Sequence, residues 1–109
     1  MIRIVAYVPD LMDRSKVAAA APEATFCHAP AELVATAREQ GAVLAVVDLS
    51  RDGVLDAVSE LAATGVASVG FGSHVEGDLL ERARRAGCDR VLTRAAFFRQ
   101  TGEVLSRVR

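Results

Sequence analysis

Two aspartates stand where chemistry is possible. Asp10 follows the apolar run Ile2 to Val8 and Pro9, and Asp48 closes the run Ala42 to Val47. A carboxylate at the end of a buried run, with a second acid nearby, can ligate a hard cation such as Mg²⁺ or take up a phosphoryl group once charge is neutralised. Arg94 adds a cation after the last apolar run. The stretch VGFGSHVEG, Val69 to Gly77, poses a separate question: a buried run breaks at Gly70 and Gly72 and continues through Ser73 and His74. Glycines before a helix can bring backbone amides up to an anion. The spacing GxGxxxxG, however, matches neither a dinucleotide fingerprint nor a P-loop. Ser73 and Glu76 instead fit a capping box, and His74 falls on the rim as a loop imidazole. Asp10 and Asp13 likewise fit a D-x-x-D start of a helix, with metal binding by Asp10 and Asp48 as the weaker alternative. Cys27-His28 and Cys88 lack CxxC spacing, and no third group is placed to orient a thiol–imidazole pair, so both thiols read as buried and inert.

These residues need elements to hold them. The chain has 109 residues, 51% of them hydrophobic and 25% charged, enough for one core in one domain spanning 1 to 109. The net charge of −1 gives no global attraction for nucleic acid, although residues 1 to 74 carry −4 and residues 75 to 109 carry +3. The apolar runs are too short to span a bilayer, no signal-like segment opens the chain, and a cytoplasmic location with reduced thiols is the expectation.

Strand and helix patterns alternate. Ile2 to Val8 reads as a strand and Leu11 to about Ala20 as a helix. Ala24 to Cys27 is a short strand, followed by Pro30 at a helix entrance, AELVATAREQ, and a stop at Gly41. Ala42 to Val47 is the third strand, and Ser50 or Asp52 is placed to cap a helix running towards Gly65. Val66 to Phe71, a helix from Glu76 to Ala86, Arg90 to Thr93 and a final helix from Ala95 to about Arg107 complete five βα units. Such a chain predicts a parallel sheet covered on both faces by right-handed crossovers. Strands 1, 3 and 4 are apolar at nearly every position, as interior strands must be, while ATFCH and DRVLT carry polar residues and belong at the edges. The predicted fold is therefore a flavodoxin-like (βα)5 three-layer α/β sandwich of order 2-1-3-4-5, with its crevice at the carboxyl ends of strands 1 and 3. Asp10, Asp48, Gly72, Ser73, His74 and Arg94 all fall at that end.

The whole chain, and AGCDRVLTRAAF (Ala86 to Phe97) above all, resembles a response-regulator receiver domain of the CheY-like kind. The resemblance places Asp48 at the phosphoacceptor position. It implies an acidic pair for Mg²⁺ at Val8 and Pro9, a phosphoryl-binding hydroxyl at Gly72, a lysine at Arg94 and a proline at Ala95. None of those residue types is present, and the loop LSRDG is shorter than the family's. The reading that follows is a degenerate, or pseudo-, receiver: a stand-alone signalling or adaptor domain without an output domain, acting by protein contact and not as an enzyme. It needs no cofactor, with Mg²⁺ entering only if Asp48 is phosphorylated. The resemblance also points to the surface of helix 4, strand 5 and helix 5 for self-association or docking of another signalling protein. Arg82, Arg85, Phe97 and Phe98 are its expected contacts, the final helix also carrying Val104, Leu105 and Val108; nucleic acid and membrane are not expected partners. A conventional phosphoreceiver using Asp48, and a small-ligand sensor at the crevice, are the alternatives.

Overall fold

The computed structural model describes residues 3–106. Five parallel strands, β1 (Ile4–Tyr7), β2 (Thr25–Phe26), β3 (Leu44–Asp48), β4 (Ala67–Gly72) and β5 (Arg90–Thr93), form one sheet of order β2-β1-β3-β4-β5. This is the flavodoxin-like order predicted from strand composition. Side chains alternate between the two sheet faces, as a pleated strand requires. Val5, Ala45 and Val47 join one core with the buried sides of α2 (Glu32–Gln40), α3 (Val54–Ala63) and α4 (Gly77–Ala86). Ile4, Ala6, Val8, Leu44, Val46, Val69 and Phe71 join the other, under α1 (Leu11–Ala20), α5 (Arg94–Arg99) and α6 (Thr101–Ser106).

Helix ends follow local chemistry. Asp10 caps α1, its Oδ1 accepting from the Met12 and Asp13 amides at 2.9 and 3.0 Å. Gly41 and Gly87 end α2 and α4 in the left-handed region, the conformation that a residue without a Cβ adopts most cheaply. Four local expectations change. Neither Ser50 nor Asp52 caps α3: Gly53 holds that position at φ 81°, because the Ser50 side chain is engaged with Asp48 instead. A 3₁₀ turn, His74–Glu76, precedes α4. There the Ser73 hydroxyl accepts from the Val75 amide at 3.3 Å, while the Glu76 amide goes to the Ser73 carbonyl, so the cap is made without the expected box. The final helix is broken at Gln100. The Thr101 hydroxyl takes the Phe97 carbonyl at 2.8 Å, and the Gln100 carbonyl starts α6 by accepting from the Val104 amide. Val104 and Leu105 are buried; Ile2 and Val108 lie outside the described residues. No helix among the described residues is long and apolar enough to cross a membrane.

Candidate functional site

The carboxyl ends of the strands form a crevice in which Asp48 is the central acid. Registry pairs Asp48 with Phe71 on one side, and the β1–β3 ladder, continued one step past Tyr7 and Val47, brings Val8 beside it on the other. Asp48 is buried, with 2% of its surface exposed, and both of its carboxylate oxygens are used. Oδ1 accepts from the Ser50 amide at 3.0 Å and the Ser50 hydroxyl at 2.7 Å; Oδ2 accepts from Arg51 Nε at 3.3 Å. These donors all come from the loop directly after β3, which turns back over its own strand end, as a short acid followed by serine readily does.

The other residues expected at the crevice are present but differently paired. Arg94 does not meet Asp48. Its Nη2 donates to Asp13 Oδ1 at 2.8 Å, and its guanidinium also lies over the rings of Phe71 and Phe98, 5.5 and 5.4 Å from the centroids. The Asp13 bond is the main reason the arginine's pKa is raised further. Asp13, read from sequence only as part of a helix start, is 3% exposed and buried under this pair. Asp10 is exposed and committed to capping α1, and the Asp13 amide is the chief cause of its lowered pKa.

Gly70 and Gly72 belong to β4 itself, not to a loop. A β-carbon on Gly70 would stand 2.7 Å from Leu49 Cδ2, and one on Gly72 3.1 Å from Leu80 Cδ2. The two glycines make room for leucines over the sheet, which accounts for the GxG without any anion. Ser73 is half-buried and His74 exposed at the rim.

The residues do not fit Mg²⁺. Val8 and the half-buried Pro9 offer no carboxylate, the oxygens of Asp48 are taken by serine and arginine, and Asp10 is turned to its helix. Among the described residues, no group of three or more His, Cys, Asp or Glu is placed to hold a metal ion. Beside the Asp48 loop an open groove of about 400 Å³ runs between the start of α3 and α4, with Arg51, Asp52, Asp56, Glu76 and Arg82 on its walls.

On the surface of α4, β5 and α5, Arg82 and Arg85 are exposed, the latter 3.9 Å from Glu81. Phe97 is not available as a contact. It is fully buried, stacked on Phe71 with centroids 4.8 Å apart, and Phe98 closes the cluster edge-on at 4.9 Å from Phe97 while remaining half-buried. Consecutive positions on a helix point about 100° apart, so only one of two adjacent rings can face the sheet. Cys27, just after β2, and Cys88, shortly before β5, are free and buried near opposite edges of the sheet, and burial pushes both thiols up, away from reactivity.

Arg51 and Asp13 are the partners that sequence reasoning missed. A cation three residues after Asp48 was a visible signal for the first. The second depends on a contact across 81 residues, which only the packing of α1 against the end of β5 creates.

No protein-family model matches the sequence, and no curated protein does. Solved structures match it closely in shape. The chemotaxis response regulator CheY4 of Vibrio cholerae superposes with a TM-score of 0.82 at 13% identity, covering 100% of this chain and 99% of that one. A response regulator from Thermotoga maritima gives 0.81 at 12%, with 99% and 97% covered. A CheY-like protein (tadZ) from Pseudomonas aeruginosa PAO1 gives 0.79 at 17%, each chain covered completely. Similarity in shape at such identities speaks for architecture: this chain has the CheY-like receiver fold.

Proposed function

We propose that this domain is a degenerate receiver that serves signalling by contact with another protein, is not an enzyme, and is not driven by aspartyl phosphorylation. The observation that carries the reading is the state of Asp48. A phosphoacceptor needs an oxygen open to the donor and a cation to neutralise the incoming charge. Here both oxygens are bonded within the loop, the neighbouring strand end supplies valine, and the nearest charge is Arg51, already paired. Arg94, at the lysine position, serves Asp13 instead. On this reading the domain is cytoplasmic and binds neither nucleic acid nor membrane, and the Asp48 cluster is a structural lock on the β3–α3 loop. Incubation with acetyl phosphate and Mg²⁺, followed by intact-mass spectrometry, is expected to leave the chain unmodified. Stoichiometric phosphorylation that disappears in Asp48→Asn overturns the proposal.

A further inference from the structure

The loop after β3 leaves one guanidinium only partly used. Arg51 gives its Nε to Asp48 Oδ2 at 3.3 Å, and among the described residues its two terminal nitrogens have no partner. The buried carboxylate thus fixes the arginine while the outer edge of the fork, which can take both oxygens of a second carboxylate, stays free. Arg51 stands on one wall of the open groove between the start of α3 and α4, and Arg82 on the other.

The two helices share one layer and follow parallel strands, so they run side by side in the same direction. Their register is set where the Ser59 hydroxyl of α3 donates to the Ala86 carbonyl of α4 at 3.2 Å. One turn back from each, Arg82 comes level with Asp56. Six residues further back, roughly 9 Å along the helix, Glu76 comes level with the loop that carries Arg51 and Asp52. Helical side chains lean towards the start of their helix, which carries the Arg82 guanidinium up the groove towards Arg51. Leu55 and Leu79, both half-buried, supply apolar surface on the same walls.

Charges of both signs therefore share this groove without neutralising one another. Asp52, Asp56 and Glu76 line it and are exposed, and among the described residues none of them, nor Arg82, is in an ion pair. Two guanidinium groups against three carboxylates leave the groove one charge negative. The complement is a molecule with one oxyanion and two cations.

We propose that the groove between α3 and α4 is a binding site for a basic amino acid. Its carboxylate would sit between Arg51 and Arg82, its two cationic groups would meet Asp52, Asp56 and Glu76, and its aliphatic stem would lie against Leu55 and Leu79. The volume of about 400 Å³ lies in the lower part of the range of small-molecule sites, roughly 300–1,000 Å³. The proposal adds a small-molecule ligand to the contact reading and does not depend on it.

The probes are L-arginine and L-lysine, each titrated into the isotope-labelled full chain and followed by amide chemical shifts. Agmatine, which lacks the carboxylate, and L-citrulline, which lacks the side-chain cation, are the comparisons. Saturable shifts are expected at Ser50 to Asp56 and Glu76 to Arg82, with a Kd of about 1 mM or below, and with agmatine and citrulline each about tenfold weaker or more. Arg82→Ala should remove the preference for arginine over agmatine, and Asp56→Asn should shrink the preference for arginine over citrulline. Both changes are to exposed side chains and should leave circular dichroism unaltered. Absence of saturable shifts with both amino acids, agmatine binding as tightly as arginine, or preferences unchanged in both variants overturns the proposal. Each of these failures leaves the contact reading standing, since that reading falls on phosphorylation of Asp48.

Discussion

Arg94 is held by a carboxylate and two aromatic rings, and the two members of its ion pair are unequally buried. The Asp13 side chain is 5% exposed and that of Arg94 43%. Removing the arginine strands a buried carboxylate, whereas removing the aspartate strands a guanidinium that water can reach. Arg94→Ala should therefore cost about 2–3 kcal/mol, a value discounted for the arginine's exposure, and Asp13→Ala about 1 kcal/mol. Urea unfolding of the two variants measures the order, and the reverse order would contradict this account of the pair. Asp10 makes a pH-dependent contribution. Its carboxyl is lowered from the ordinary 3.8, so its stabilisation is fully present above that value and is lost as pH falls through the lower folded value. In Asp10→Asn, which keeps the capping oxygen but cannot titrate, the acid limb of a stability–pH curve should be shallower than in the parent. The cap was legible in the sequence because it is local. The Asp13–Arg94 pair was not, because nothing in either residue's neighbourhood names the other.

At the scale of the element, β4 shows why glycine in a strand can mean packing. Gly70 faces the layer of α2, α3 and α4, where Leu49 lies so close that a methyl group has no room, with Leu49 carbons 2.7 to 2.9 Å from the added atom. Gly70→Ala should cost about 1–3 kcal/mol by overpacking. Trimming the leucine should relieve the clash, so Gly70→Ala measured in a Leu49→Ala background should cost less than in the parent, a coupling that a double-mutant cycle reads directly. The type and order of the elements were legible because two periodicities alternate along the chain and the interior strands are apolar at nearly every position. The entrance to α3 and the break in the last helix were not. In the first, Ser50 is drawn to a buried carboxylate; in the second, the Thr101 hydroxyl competes for a backbone carbonyl. Side-chain bonds of this kind redirect an element without altering its hydrophobic pattern.

The whole molecule is two cores separated by one sheet, and the aromatic cluster of Phe71, Phe97 and Phe98 ties α5 to that sheet. Truncating a buried phenylalanine costs about 3–5 kcal/mol, and placing an unpaired carboxylate there costs more, against a total of about 5–15 kcal/mol for a typical domain. Phe97→Glu is expected to be largely unfolded by circular dichroism, while the half-buried Phe98 should tolerate the same change with the fold retained. A folded Phe97→Glu variant would return that ring to the list of surface contacts. The uneven charge visible in the sequence also changes meaning in three dimensions. The basic balance of residues 75 to 109 is not spread evenly: at the crevice Arg94 is paired with Asp13, while Asp10, Glu76 and Asp78 are exposed and Arg82 lines the neighbouring groove. Charge summed along a chain and charge summed over a face are different quantities, and only the second meets a partner.

The leucines seated on β4 also make the site hard to convert. A side chain at Gly72 would start 3.1 Å from the buried Leu80 methyl and 3.7 Å from Leu49 Cβ, so the hydroxyl that receivers carry there cannot be introduced until the packing beneath it yields. Carboxylates at Val8 and Pro9 would have to arrive as well, the first of them into the opposite core. The replacements at Gly72 and Val8 each disturb a packed core, and neither returns phosphoryl chemistry until the other groups are in place. Mutational routes from this sequence to a phosphorylatable one therefore cross a fitness valley. On the proposed reading, such epistasis acts as a ratchet that holds the domain to recognition.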